Sequence, residues 1–164
     1  MSPAPGQPKS RGRTPFLHLP VPWVYLLAYL VGVGLQFLFP VTFASSALSW
    51  TAQAAGLLLF AAGAWIAGWG LLTFHRAKTT TTPGEAPSRL VTGGPYRFTR
   101  NPMYLGLTIA YLGEAGLLVQ VWPLPLLVLA VVYVRWFVIP VEEASLGAFG
   151  DAYSRYRSRV RRWL

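Results

Sequence analysis

Apolar residues in this chain fall into long blocks, without the period-2 or period-3.6 alternation of a half-buried strand or surface helix. Four blocks approach the roughly 20 residues a helix needs to cross a bilayer: residues 21–39, 51–74, 103–121 and 123–141. The pattern predicts an all-α fold, a polytopic membrane helical bundle with about four transmembrane helices. The third and fourth blocks are separated by almost nothing, so Trp122-Pro123 is expected to turn a tight antiparallel hairpin. Beyond the fourth block, Leu146, Phe149, Tyr153, Tyr156, Val160 and Trp163 recur at steps of three and four. That stripe predicts a C-terminal amphipathic interfacial helix, serving either as an anchor or as a lid over a surface site. Gly147 and Gly150 weaken its first turn.

Residues 19–164 read as a single membrane domain. Residues 1–18, rich in Pro, Gly, Ser and basic groups, predict a disordered basic segment. The first block could instead be a signal peptide, with Ala44-Ser45-Ser46-Ala47 as its cleavage site. Its length and the three further blocks favour a membrane span. Gly56, Gly63 and Gly70 share one face of the second block, and Gly106 and Gly113 repeat the spacing in the third. They are either contact seams between helices or glycines that a membrane helix merely tolerates.

Charge adds orientation. The net charge is +9, and the basic residues lie before the first block, between the second and third, and after the fourth. The two remaining connections carry none. By the positive-inside rule both termini face the cytoplasm, in a multi-pass protein of the inner (cytoplasmic) membrane. Arginines that flank spans exclude a nucleic-acid-binding face and favour membrane lipids as partners. With no cysteine and no metal-ligand spacing, the sequence offers no metal site.

Candidate chemistry concentrates at two junctions. Tyr96, Arg97, Arg100 and Tyr104 cluster around Asn101-Pro102 just before the third block. Asn101 and Pro102 suit a helix start, as cap and first residue. The arginines suit a carboxylate, and the tyrosines offer rings and hydroxyls. At the end of the fourth block, Pro140 can begin a new helical segment and is followed by Glu142 and Glu143, two of only five acids. Adjacent carboxylates at a membrane edge suggest a cationic or hydroxyl-bearing partner. Within the blocks stand two charges, Glu114 and Arg135. They could form a buried pair that fixes helix register, or act in catalysis.

These motifs carry a family likeness. Leu90-Val91-Thr92-Gly93-Gly94-Pro95-Tyr96-Arg97, Arg100-Asn101-Pro102-Met103-Tyr104, a hydrophobic hairpin, Glu142-Glu143 and Phe149-Gly150…Tyr153…Tyr156 resemble the isoprenylcysteine carboxyl methyltransferase superfamily, which includes phospholipid methyltransferases. Residues 79–83 also fit its bacterial members. The likeness covers residues 56–163. It implies an S-adenosylmethionine-dependent membrane methyltransferase with a lipophilic acceptor: an isoprenylcysteine carboxylate, a phospholipid amine or a small lipophilic molecule. It also implies that Arg100, Pro102, Tyr104, Glu142 and Glu143 belong to the cofactor site, with Tyr96, Arg97 and Asn101 beside them. Arg100, Glu114 and Arg135 are the candidates for catalysis. Many members carry His where this chain has Asn101, so an imidazole base is not available here. The alternative is a non-catalytic membrane scaffold or small transporter centred on Glu114 and Arg135.

Overall fold

A computed structural model describes residues 20–41, 46–78 and 88–164. The basic segment 1–18, the Ala44-Ser45 half of the candidate cleavage site and the stretch 79–83 lie outside the described residues, while Ser46 and Ala47 begin α2. Among the described residues six α-helices follow in order: α1 Val21–Leu38, α2 Ser46–Ala77, α3 Pro102–Leu117, α4 Pro123–Tyr133, α5 Ile139–Leu146 and α6 Asp151–Arg159. A 3-10 turn, Gly94–Arg97, precedes α3, and a second, Gly147–Phe149, precedes α6. Among the described residues there is no strand.

Among the described residues three helical stretches are long and apolar enough to cross a membrane: Val21–Leu38, Leu48–Ala77 and Pro123–Phe149. The third expected span is shorter than its apolar block. Helix α3 has 16 residues, about 24 Å at 1.5 Å each, against a hydrocarbon core of roughly 30 Å. It ends at Leu117, and the chain turns through Leu118–Trp122 with Val119 at φ 53°.

The stretch from α4 to α5 is one helix with a widened turn. Pro140 has no N–H and its ring crowds the carbonyl four residues back. Residues Val134–Val138 form a π-helical turn just before it, and α5 starts at Ile139. Pro140 thus stands in the first turn of α5, where the helix resumes its α form after the widened turn.

Lipid is as apolar as leucine, so helices in it adhere by close packing and not by the hydrophobic effect. The α2–α3 contact shows how. A Cβ placed on Gly63 would stand 2.6 Å from the Gly106 carbonyl oxygen, and one on Gly106 2.7 Å from that of Gly63. Gly56 and Gly113 repeat this at 2.6 and 2.7 Å, one turn-pair further along an antiparallel seam. The glycines are contact residues. Their partnership corrects the hairpin expectation: the main neighbour of α3 is α2, while α4 lies chiefly against α1.

The opposite face of α3 meets α1 and α4. Val21, Tyr25 and Tyr29 of α1 bury against Tyr111 and Ala115 of α3 and Leu127, Ala130 and Val134 from α4 onward. Tyr29 and Tyr111 contact edge to face, 5.0 Å between ring centres, and each hydroxyl has an acceptor, Gln120 for Tyr29 and the Pro123 carbonyl for Tyr111. Elsewhere α2 shows large side chains outward, including Leu58, Trp65 and Leu72, as a helix held by one seam in lipid should.

Candidate active site

The start of α3, the start of α5 and the segment after it converge. Pro95 and Tyr96 bury the Gly94–Arg97 turn against the end of α2, where the Phe74 and Tyr96 rings lie 5.0 Å apart. That turn carries the chain into Thr99-Arg100-Asn101 and the first turn of α3. Pro102 is fully buried, so the direction of the helix start is fixed. Two residues later Tyr104, also buried, donates its hydroxyl proton to Glu142 Oε1 on α5.

Next to Glu142, Glu143 faces two guanidinium groups. Its Oε1 is 3.1 Å from Arg100 Nη1. Arg162 grips the same carboxylate with two bonds, Nε to Oε1 at 3.1 Å and Nη2 to Oε2 at 2.5 Å. Arg100 Nη1 also reaches the Tyr153 hydroxyl at 3.4 Å. The two adjacent carboxylates are therefore unlike. Glu143 is saturated by arginines, whereas Glu142 Oε2 bonds to no group among the described residues.

Two buried polar atoms here lack partners among the described residues: Arg100 Nε and the Tyr96 hydroxyl. An unpaired buried polar group is costly, and both lie beside Glu142 or Glu143. Arg100 spends only Nη1 on the protein, leaving its Nε–Nη2 edge, the edge that can hold a carboxylate through two parallel hydrogen bonds. Burial raises the pKa of the Tyr96 hydroxyl and pushes that of Tyr156 up to about 12. Both remain protonated donors. Tyr156 uses its proton on the Tyr96 carbonyl, at 2.8 Å.

Several expectations change on contact with this geometry. Asn101 does occupy the cap position of α3, but its side chain does not cap; Nδ2 donates to the Arg162 carbonyl at 2.7 Å. Arg97 is exposed, outside the cluster that Tyr96, Arg100, Tyr104, Glu142 and Glu143 form. Glu114 and Arg135 make no ion pair. Arg135 lies in the π-helical turn with its side chain outward and its guanidinium 5.7 Å above the Trp136 ring. Glu114 sits near Tyr29 and Tyr111, fourteen positions along from Arg100 and thus about 20 Å away along the helix. Arg135 is exposed, on a helix whose main neighbour is α1 and not α3.

The aromatic stripe after the fourth block is not one helix. Gly150, at φ 53°, breaks it, leaving α6 with nine residues. Tyr153 and Tyr156 turn inward onto Arg100 and Tyr96, so α6 forms a wall of the cluster. Thr99 and Arg162 belong to the site without any sequence signal that marked them. Arg162 was one of several arginines explained by topology alone.

Residues 51–149, more than half the chain, match the family model described as phospholipid methyltransferase. No curated protein and no solved structure matches the chain significantly. The matched segment contains Arg100, Tyr104, Glu142 and Glu143, and the seam that brings α3 against α2. The chain is an integral membrane protein that belongs to the phospholipid methyltransferase family.

Proposed function

We infer that this protein is an S-adenosylmethionine-dependent methyltransferase acting on a lipophilic acceptor at the cytoplasmic surface of the membrane. The observation that carries the reading is the unspent Nε–Nη2 edge of Arg100, with Nε buried and unpaired, next to the half-used carboxylate of Glu142. A carboxylate-holding cation beside an ammonium-holding anion suits an amino-acid moiety, which S-adenosylmethionine carries. The residues present fit the cofactor.

When bound, S-adenosylmethionine supplies a methyl group on a sulfonium, open to in-line displacement. Arg100 would hold the carboxylate and Glu142 the ammonium. The Tyr96 hydroxyl, protonated and unpartnered, is a donor for a further polar group. Tyr104 keeps the Glu142 carboxylate in place through its hydrogen bond. The work of these residues is positioning and exclusion of water. A carboxylate acceptor arrives ionised and needs no base.

Both carboxylates and all of Arg100, Tyr96 and Arg162 lie at the end of the bundle that bears the arginine-rich connections, which the positive-inside rule assigns to the cytoplasm. The test is equilibrium titration of S-adenosylmethionine into the detergent-solubilised protein and its Arg100→Gln and Glu142→Gln variants. Saturable binding by the parent, weakened at least about tenfold in each folded variant, supports the assignment. Equal binding by all three rejects it.

A further inference from the structure

Outside the span-forming helices, the segment Val160–Leu164 makes more directed bonds than an anchor requires. After α6 ends at Arg159 the backbone turns extended at Val160, with φ −116° and ψ 127°. From there it runs back across the start of α3. The Arg161 carbonyl accepts the Arg100 amide at 2.9 Å. The Arg162 carbonyl accepts both the Thr99 hydroxyl, at 3.2 Å, and Asn101 Nδ2, at 2.7 Å. The Arg162 side chain turns the other way and forks onto Glu143. Trp163 packs against the core that holds α1, α3 and α4 together. Arg161, Arg162 and Trp163 thus form a strap, the two arginines binding all three residues of the Thr99–Asn101 loop and the acid facing it.

The consequence falls on Arg100. Its backbone is tied to the strap at Arg161, and its Nη1 is tied to Glu143, which is itself gripped by Arg162. Side chains of Arg100 and Glu143 are 12% and 13% exposed, that of Arg162 31%. A long side chain with several rotatable bonds gives a directional hydrogen-bonding edge only when something else fixes it. Here the fixing group is Glu143, and Glu143 owes its own orientation to the forked bond from Arg162. Glu143 is the joint between two arginines and has no oxygen left for a ligand's ammonium unless Arg162 withdraws.

We propose that Arg162 is a positioning residue of the cofactor site: acting through Glu143, it aims the free edge of Arg100. This rests on the cofactor reading given above and adds to it a segment beyond the family match, which ends at residue 149. It also gives Asn101 a task. Where a ring base would be expected to serve chemistry, the amide here serves the strap.

The experiment compares the full-length parent with Arg162→Gln, Arg162→Lys and, as a control on an exposed arginine of α6, Arg155→Gln. The readouts are the dissociation constant of S-adenosylmethionine, the melting midpoint without ligand, and amide hydrogen exchange across residues 99–101 without ligand. For Arg162→Gln the expected result is a dissociation constant raised by roughly tenfold or more, with faster exchange at the Arg100 amide. Lys restores the charge but not the fork, so Arg162→Lys falls between the two. The control binds as the parent does. If Arg162→Gln does not fold, the neutral Thr99→Ala/Asn101→Ala variant carries the test, with weaker binding in the same direction.

A merely structural strap would lower the melting midpoint of Arg162→Gln while its dissociation constant stayed within about twofold of the parent; that result overturns the proposal alone. A folded parent that binds no S-adenosylmethionine, in detergent or in nanodiscs, overturns the cofactor reading and the role of Arg162 with it.

Discussion

Arg100 and Glu143 meet at 3.1 Å, and that contact joins the loop before α3 to α5, the end of the apolar stretch that begins with α4. Both side chains are largely buried, so each is the other's replacement for water. Removing one partner of a buried pair leaves an uncompensated charge, at a cost of about 3–5 kcal/mol. Glu143→Gln is expected to lower the melting midpoint clearly and to loosen both Arg100 and Arg162. Glu142→Gln, which breaks no ion pair, is expected to melt near the parent while losing cofactor affinity. Thermal melting of the two single variants separates them; matching melting points would contradict the division of labour between the acids.

Tyr104 spends its hydroxyl proton on Glu142. A hydrogen bond to a charged group contributes about 1.5–3 kcal/mol. In Tyr104→Phe the ring still packs, but the carboxylate loses its donor. The expected outcome is a small fall in melting midpoint with a larger fall in S-adenosylmethionine affinity, measured by titration. An affinity equal to that of the parent would show that the orientation of Glu142 is set elsewhere.

Gly63 and Gly106 tolerate no side chain between them. Gly63→Leu must drive α2 away from α3, and overpacking of this kind costs about 1–3 kcal/mol. Because the first turn of α3 carries Tyr104 and the loop leading into it carries Arg100, the variant is expected to lose both thermal stability and cofactor binding. Gly34→Leu, where a Cβ meets nothing within 4 Å, is the matched control and should melt as the parent does.

Much of this arrangement was legible in the chain. Block lengths defined a membrane bundle, and the period-seven glycines named the faces that do meet. Pro140 marked the irregularity before α5, and the motif residues Tyr96, Arg100, Tyr104, Glu142 and Glu143 are those brought together. The failures have physical causes. Apolarity alone ran the third block to residue 121, but the turn at Leu118–Trp122 cut α3 at Leu117. A hairpin of the third and fourth blocks made a Glu114–Arg135 pair possible, but α3 lies chiefly against α2, α4 against α1, and Arg135 is exposed. A cap was expected of Asn101, but its Oδ1 accepts no helix amide, and its Nδ2 donates to the Arg162 carbonyl. Arg162 itself was hidden, because a run of arginines beside a span is fully explained by topology.

Glu114 and Arg135 are separated from the Arg100 cluster, so neither should serve methyl transfer. Glu114→Gln and Arg135→Leu are each expected to leave the transfer rate within roughly twofold of the parent. A radiolabelled methyl-transfer assay with membrane lipid as acceptor checks this, and a loss of tenfold or more in either variant would return that residue to the reaction.

The central claim is that the free edge of Arg100 holds the cofactor's carboxylate. The most direct measurement is a double comparison: S-adenosylmethionine and its decarboxylated analogue, each titrated into the parent and into Arg100→Gln. The parent is expected to prefer the carboxylate-bearing ligand by roughly tenfold or more, and Arg100→Gln to lose most of that preference. A parent indifferent to the carboxylate, or a variant that keeps the full preference, would contradict the account.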